Sequence, residues 1–240
     1  MSFAVPSIDI LSGNAVRLRQ GKKETSEILG NPLQLAEKYR KLGFLYLHVV
    51  DLDAAFGGDS QFELLEKIAK SCGSMTLQWG GGMRRAALAA RAFEAGAARV
   101  IFSTALFTAP EEVAAAVRKF GPEKIWASLD FAGNPPVARI RGWTEGQGAT
   151  VGKSIEAAEK CGVGGAVLSS IDRDGTMEGP DLDLARQFAS GWKKPFWLSG
   201  GMRDARDAKD SFAAGAQGTI FGRALYGKND LEELACLQQE

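Results

Sequence analysis

Two spacings of apolar residues alternate along the chain. Short runs rich in β-branched and aromatic residues predict strands. They fall at Val5–Ile10, Leu45–Leu52, Met75–Trp79, Val100–Ser103, Ile125–Asp130, Ala166–Ser170, Pro195–Ser199 and Thr219–Gly222. Between them lie amphipathic stretches, Pro32–Leu42, Phe62–Ser71, Arg84–Ala95, Glu111–Phe120, Ser154–Cys161, Leu182–Ala189 and Ala205–Ala214. In LLEKIAK and EEVAAAVRKF the apolar residues recur every three or four positions, which predicts helix rather than strand. A last helix fits Asp230–Leu237. Eight β–α units in 240 residues match an eightfold (β/α)8 TIM barrel in count and length, with a doubly wound open sheet as the rival.

An internal repeat favours the barrel. GGMR occurs at Gly81–Arg84 and again at Gly200–Arg203, an offset of 200 − 81 = 119. The segments Glu94–Phe107, EAGAARVIFSTALF, and Ala213–Tyr226, AAGAQGTIFGRALY, share 7 of 14 positions at the same offset. Units 3–4 therefore resemble units 7–8, and the chain reads as two half-barrels. Nothing linker-like separates the halves, so residues 1–240 are expected to form one domain.

Composition narrows the function. Lys+Arg and Asp+Glu are both 29, which gives no basic bias toward nucleic acid or an anionic membrane. Cys72, Cys161 and Cys236 are far apart and form no metal or disulfide pattern; reduced cytosolic thiols are expected. The start, MSFAVPSIDIL, shows no signal peptide, and no run is apolar enough to span a bilayer. A cytoplasmic enzyme acting on a small molecule is the expectation, with a monomer favoured.

In a parallel barrel the active site sits at the C-terminal strand ends. Each GGMR is expected to follow a strand and open a helix, where glycine amides and a helix N-terminus favour an anion. Gly81, Gly82 and Arg84 would lie beside Ser103 and Thr104; Ser199, Gly200 and Gly201 would lie beside Gly222 and Arg223. Two such clusters across one mouth suit a ligand with a phosphate at each end. The plainer reading is that the glycines only allow tight strand–helix packing. Asp9, in PSIDI, and Asp130, in ASLDF, end strands 1 and 5 at an offset of 121, close to that of the repeat. They would face each other between the phosphate clusters, where paired carboxyls can act as base and acid. Alone, each would usually cap a loop or pair with a cation. Asp174, in SSIDRDGT, also fits a turn, and His48, the single histidine, fits packing as well as function. One histidine makes a Ser-His-Asp hydrolase unattractive, and Asp51 and Asp53 lack the neighbours of a metal site.

The motifs PSIDI, AVRLRQG, LHVVDLDAAFG, GGGMR, SLD, RGW, RDGTMEGPDL, LSGGMR and GRALY follow in order from Ser7 to Tyr226. Taken together they resemble the phosphoribosylformimino-aminoimidazole carboxamide ribotide isomerase family of histidine biosynthesis. The resemblance implies an Amadori rearrangement of a bisphosphorylated substrate, with no metal or organic cofactor. It implies Asp9 as proton acceptor, Asp130 as proton donor, Asp174 as a further catalytic aspartate, and Arg17 as a substrate contact on the first loop. Ser169-Ser170 departs from the family's usual Thr-Asp, keeping a hydroxyl at Ser169 and losing a charge at Ser170. SSIDRDGTM is also similar to the cyclase subunit of imidazole glycerol phosphate synthase, whereas HVVDLDAAFG and RGW belong to the isomerase side. DLDAAFG and RIRGW further resemble a dual-substrate isomerase of actinobacteria that also takes phosphoribosyl anthranilate. For that substrate Arg141 would pair with the carboxylate and Trp143 would stack on the ring. A phosphate-binding barrel without activity is the remaining alternative.

Overall fold

A computed structural model of the protein describes residues 2–19, 21–146, 148–226 and 231–237. In chain order the strands are β1 (Phe3–Leu11), β2 (Asn14–Arg19), β3 (Lys22–Gly30), β4 (Tyr46–Asp51), β5 (Thr76–Gly80), β6 (Arg99–Phe102), β7 (Ile125–Ala132), β8 (Val137–Ile140), β9 (Glu145–Gly146), β10 (Gly165–Ser170), β11 (Phe196–Ser199) and β12 (Gly218–Phe221). The α-helices are α1 (Pro32–Lys41), α2 (Leu52–Ala55), α3 (Phe62–Cys72), α4 (Ala86–Glu94), α5 (Ala105–Thr108), α6 (Pro110–Phe120), α7 (Val151–Cys161), α8 (Leu182–Gly191), α9 (Ala205–Ala213) and α10 (Leu231–Cys236).

Eight of these strands form a closed parallel ring in the order β1-β4-β5-β6-β7-β10-β11-β12, with β12 hydrogen-bonded back to β1. This is the expected (β/α)8 barrel, and each predicted strand overlaps one strand of the ring. The other four are additions that the apolar pattern does not predict. β2 and β3 extend β1 as antiparallel strands, and β8 and β9 extend β7 in the same way. Strands 1 and 5 thus run past the barrel rim and fold back, once per half-barrel. The final helix covers Leu231–Cys236; Asp230, where the pattern places its start, lies outside the described residues.

Local chemistry starts the helices where the sequence allows. Asn31 caps α1 by accepting from the Leu33 amide at 2.8 Å, with Pro32 in the first turn. Thr150, Asp181 and Asp204 cap α7, α8 and α9 in the same manner. The apolar faces of the helices cover the outside of the ring. Inside it, Val5, Ile101, Trp126, Val167, Trp197 and Ile220 form a second apolar cluster. The two indoles fit because Gly165 and Gly218 stand in register beside them, where any Cβ would collide with the ring. Beneath, the Arg99 guanidinium lies 3.9 Å from the Trp126 ring centroid, and Tyr46 and Trp197 flank it. Among the described residues these side chains plug the N-terminal end, and the mouth lies at the C-terminal strand ends.

Candidate active site

Asp9 and Asp130 stand on opposite strands of the ring, β1 and β7, four places apart in an eight-strand circle. The two-residue period of a strand turns Ser7 and Ser128 into the same mouth. These serines are again 128 − 7 = 121 residues apart. Sequence reasoning passed over them, although the period and the repeat both pointed to them. Ser128 donates to Asp130 at 2.9 Å, and Ser103 reaches the other carboxylate oxygen at 3.4 Å. Ser169 and the Trp143 side chain also hydrogen-bond to Asp130. Burial raises the Asp130 pKa, and these four donors only partly offset it.

Asp9 is less well supplied with donors. Burial, and then the negative charge of Asp174, push its pKa up to about 7. Asp174 follows the single turn Ile171–Arg173 after β10. Burial and the charge of Asp130 push it to about 6. The three aspartates thus form one electrostatic group, with like charges opposing simultaneous ionisation. His48 lies in the same mouth, with Nδ1 2.8 Å from Gln78 Oε1, and burial lowers its pKa to about 4. It is neutral at physiological pH. Tyr226 and Phe56 also line the mouth. The sequence left His48 open between packing and function and gave Tyr226 and Phe56 no role.

The two glycine clusters flank this group on opposite sides, at β5–β6 and β11–β12. Gly81, Gly82, Gly200 and Gly201 all have positive φ, from 64° to 102°. A Cβ on Gly81 would strike the Asp51 backbone, and one on Gly200 the Ser170 backbone. Positions 51 and 170 are themselves 119 apart, so the packing is duplicated along with the motif. The glycines therefore satisfy the plainer packing requirement and line the mouth as well.

One expectation needs correction. GGMR does not itself open a helix: α4 starts at Ala86 and α9 at Ala205, beyond Arg84 and Arg203. Protein carboxylates already engage those helix starts. Glu112 accepts from the Ala86 amide at 2.7 Å, and Asp204 accepts from the Arg206 and Asp207 amides. Any anion must be held by the glycine loops and by the turns after β6 and β12. Those turns are the short α5 behind Ser103-Thr104 and the Arg223–Tyr226 turn behind Gly222.

The mouth also gathers Arg17, Arg84, Ser103, Thr104, Trp143, Ser169, Ser199, Gly222 and Arg223. Arg17 pairs with Glu27 across β2 and β3 at 2.5 Å. Arg223 donates to the Gly175 carbonyl at 2.5 Å. The second-repeat counterpart of Arg84 is committed elsewhere: Arg203 grips Asp207 through two guanidinium bonds of 2.9 and 2.7 Å. Arg141 alone among the expected residues is not on the wall of this mouth. It lines an adjoining recess with Arg84, Thr104 and Thr108, and its amide donates to Thr104 Oγ1 at 2.9 Å. Arg141 and Trp143 have φ values of 53° and 69°, a conformation disfavoured for side-chain-bearing residues. Among the described residues no group of three or more His, Cys, Asp and Glu is placed to hold a metal. No helix among them is long and apolar enough to cross a membrane.

Residues 4–230 match the family model described as histidine biosynthesis protein. The chain belongs to that family. It is 34% identical over 223 residues to the 1-(5-phosphoribosyl)-5-((5-phosphoribosylamino)methylideneamino)imidazole-4-carboxamide isomerase of Deinococcus radiodurans, covering 92% of each chain. It is 35% identical over 234 residues to the enzyme of the same name from Bifidobacterium animalis subsp. lactis, covering 95% of each. It is 34% identical over 227 residues to phosphoribosyl isomerase A of Streptomyces coelicolor, covering 93% of this chain and 92% of the relative. Family membership accords with a barrel that carries both carboxylates and both glycine loops at one mouth.

Proposed function

We propose that this protein is the cytoplasmic aldose–ketose isomerase of histidine biosynthesis, converting a bisphosphorylated phosphoribosylamine to the phosphoribulosylamine. The observation that carries the reading is the pair Asp9 and Asp130, facing across the mouth between two glycine loops on its opposite sides. Each loop, with the turn beside it, would take one phosphate through backbone amides and Arg223 or Arg84. The reacting ribosyl carbons would then lie over the carboxyls. Asp130 donates a proton to the ring oxygen, which opens the ribose to a Schiff base. Asp9 removes the C2 proton, and the resulting enolamine tautomerises to the ketose. The ring oxygen and C1 each gain a proton, while C2 and its hydroxyl each lose one, so the protons balance and no redox cofactor is required. A pKa near 7 suits a base that must be free of its proton at neutral pH yet strong enough to take one. Asp174 adjusts that balance through its charge on Asp9.

A second reading, action on phosphoribosyl anthranilate as well, is favoured by one observation. The Trp143 side chain hydrogen-bonds to Asp130, and Arg141 lies two residues away beside the mouth. An aromatic plane and a cation are thus held near the acid. Complementation tests both readings. The gene is expected to restore growth without histidine to a strain lacking this isomerase, and failure despite confirmed soluble expression would refute the main reading. Rescue of a strain lacking the anthranilate isomerase would establish the second activity, and no rescue there would exclude it.

A further inference from the structure

The two rim hairpins carry residues that the proposed chemistry uses, and each is tied down at its tip. Ser12-Gly13 forms the tight turn between β1 and β2, both residues having positive φ, and the Ser12 amide donates to Asp53 Oδ2 at 2.7 Å. The turn between β7 and β8 begins at Gly133, whose amide donates to Asp172 Oδ2, also at 2.7 Å. The tips are 133 − 12 = 121 residues apart and the acceptors 172 − 53 = 119. Each acceptor sits just after the next strand of the ring: Asp53 in α2 after β4, and Asp172 in the turn after β10. Both of those strands pair in parallel with the strand that bears the hairpin.

These contacts do not follow from helix capping, because neighbouring residues do that work. Asp51 caps α2 and also accepts from the Gln61 amide, and Asp181 caps α8 while Ser170 donates to it. Among the described residues Asp172 makes no other hydrogen bond, so its contact serves the hairpin. The first hairpin bears Arg17, and the second leads into Arg141 and Trp143. At the far ends the two extensions meet, since a Cβ on Gly21 would press on the Trp143 ring.

We propose that Asp53 and Asp172 are a duplicated pair of positioning residues, each latching one rim hairpin so that Arg17 on one side and Trp143 on the other lie over the mouth. They touch the hairpin tips and leave the reacting atoms to the aspartates inside.

The test uses the whole protein. Asp172 is exposed, so Asp172→Ala should fold normally, whereas Asp172→Asn keeps an oxygen acceptor. Trp143 is followed by fluorine NMR of 5-fluorotryptophan-labelled protein, its signal assigned with Trp143→Phe. Asp172→Ala should move or broaden that signal, and Asp172→Asn should restore it. In turnover, KM should rise roughly three- to tenfold in Asp172→Ala while kcat stays within about twofold, the scale of one charge-assisted hydrogen bond. Asp53→Ala should raise KM similarly; Gln61→Ala, which removes the other partner of Asp53, should not. An unchanged Trp143 signal in Asp172→Ala would overturn the latch whatever the substrate proves to be, since that arm needs no turnover. The kinetic arm rests on the isomerase reading. A normal KM with a displaced signal would limit the latch to the loop and remove it from substrate binding, overturning its proposed purpose.

Discussion

At the scale of single residues the proposed chemistry depends on how burial divides three carboxyls. Asp9 is held at about 7 and Asp174 at about 6, against an ordinary value of 3.8. Asp9→Asn is therefore expected to reduce kcat by on the order of a hundredfold or more, with KM changed only a few-fold. The wild-type kcat/KM should fall as pH drops below about 7, because protonation removes the base. A profile flat from pH 8 to 5.5 would exclude Asp9 from that role. The same shift has a stability consequence of definite sign. A carboxyl with a raised pKa binds its proton more tightly in the folded state, so its contribution is greatest below pH 3.8 and is lost as pH rises through 7. Asp9→Asn, which cannot ionise, should thus exceed the wild type at pH 8 in denaturant melts, by up to about 4 kcal/mol. That difference should vanish near pH 4. The aspartates were legible in the sequence because the repeat marked them twice. Ser7 and Ser128 were equally marked by their place two residues before each aspartate, yet small hydroxyls at strand ends attract little attention. His48 stayed open between packing and function, since its neutral state comes from burial.

At the scale of elements, the apolar pattern is a good guide wherever an element packs against a core, and the eight ring strands all do so. It fails for the rim hairpins. β3, KKETSEILG, is mostly exposed and polar, so nothing in it alternates against a core. β8 is only four residues long. Those strands exist because β1 and β7 offer an edge beyond the barrel, a fact of tertiary structure rather than of periodicity. The glycine loops show the opposite case, in which sequence exposes a requirement directly. Gly201 has φ of 81°, and a Cβ there would run into the Gly179 carbonyl. Gly201→Ala should lower stability by about 2–3 kcal/mol, combining backbone strain with a collision. It should also weaken inhibition by inorganic phosphate. Denaturant unfolding and phosphate titration check the two effects, and a fully stable variant would show that the loop has room to adjust. Arg84 and Arg203 illustrate where a repeat misleads. The residues are identical in sequence, but Asp207 claims Arg203 through a bidentate pair whereas Arg84 lines the mouth.

For the molecule as a whole, duplication explains the shape of the site. A half-barrel copied at an offset near 120 residues places one carboxylate, one glycine loop and one latched hairpin on each side of a single mouth. That symmetry fits a substrate with a phosphate at each end, and the differences between the copies supply direction. Trp143, Ser169 and Ser103 gather on Asp130, whereas Asp9 faces Asp174. The most direct measurement is turnover of the bisphosphorylated aminoaldose by purified wild-type protein and by Asp9→Asn and Asp130→Asn, followed by absorbance and by mass analysis of the product. The account predicts conversion by the wild type to an aminoketose of identical mass, with no added metal or cofactor. It predicts a loss of at least about a hundredfold in kcat in each variant, both still folded and still inhibited by phosphate. A wild type that binds the substrate without converting it, or a variant that turns over at the wild-type rate, would contradict it.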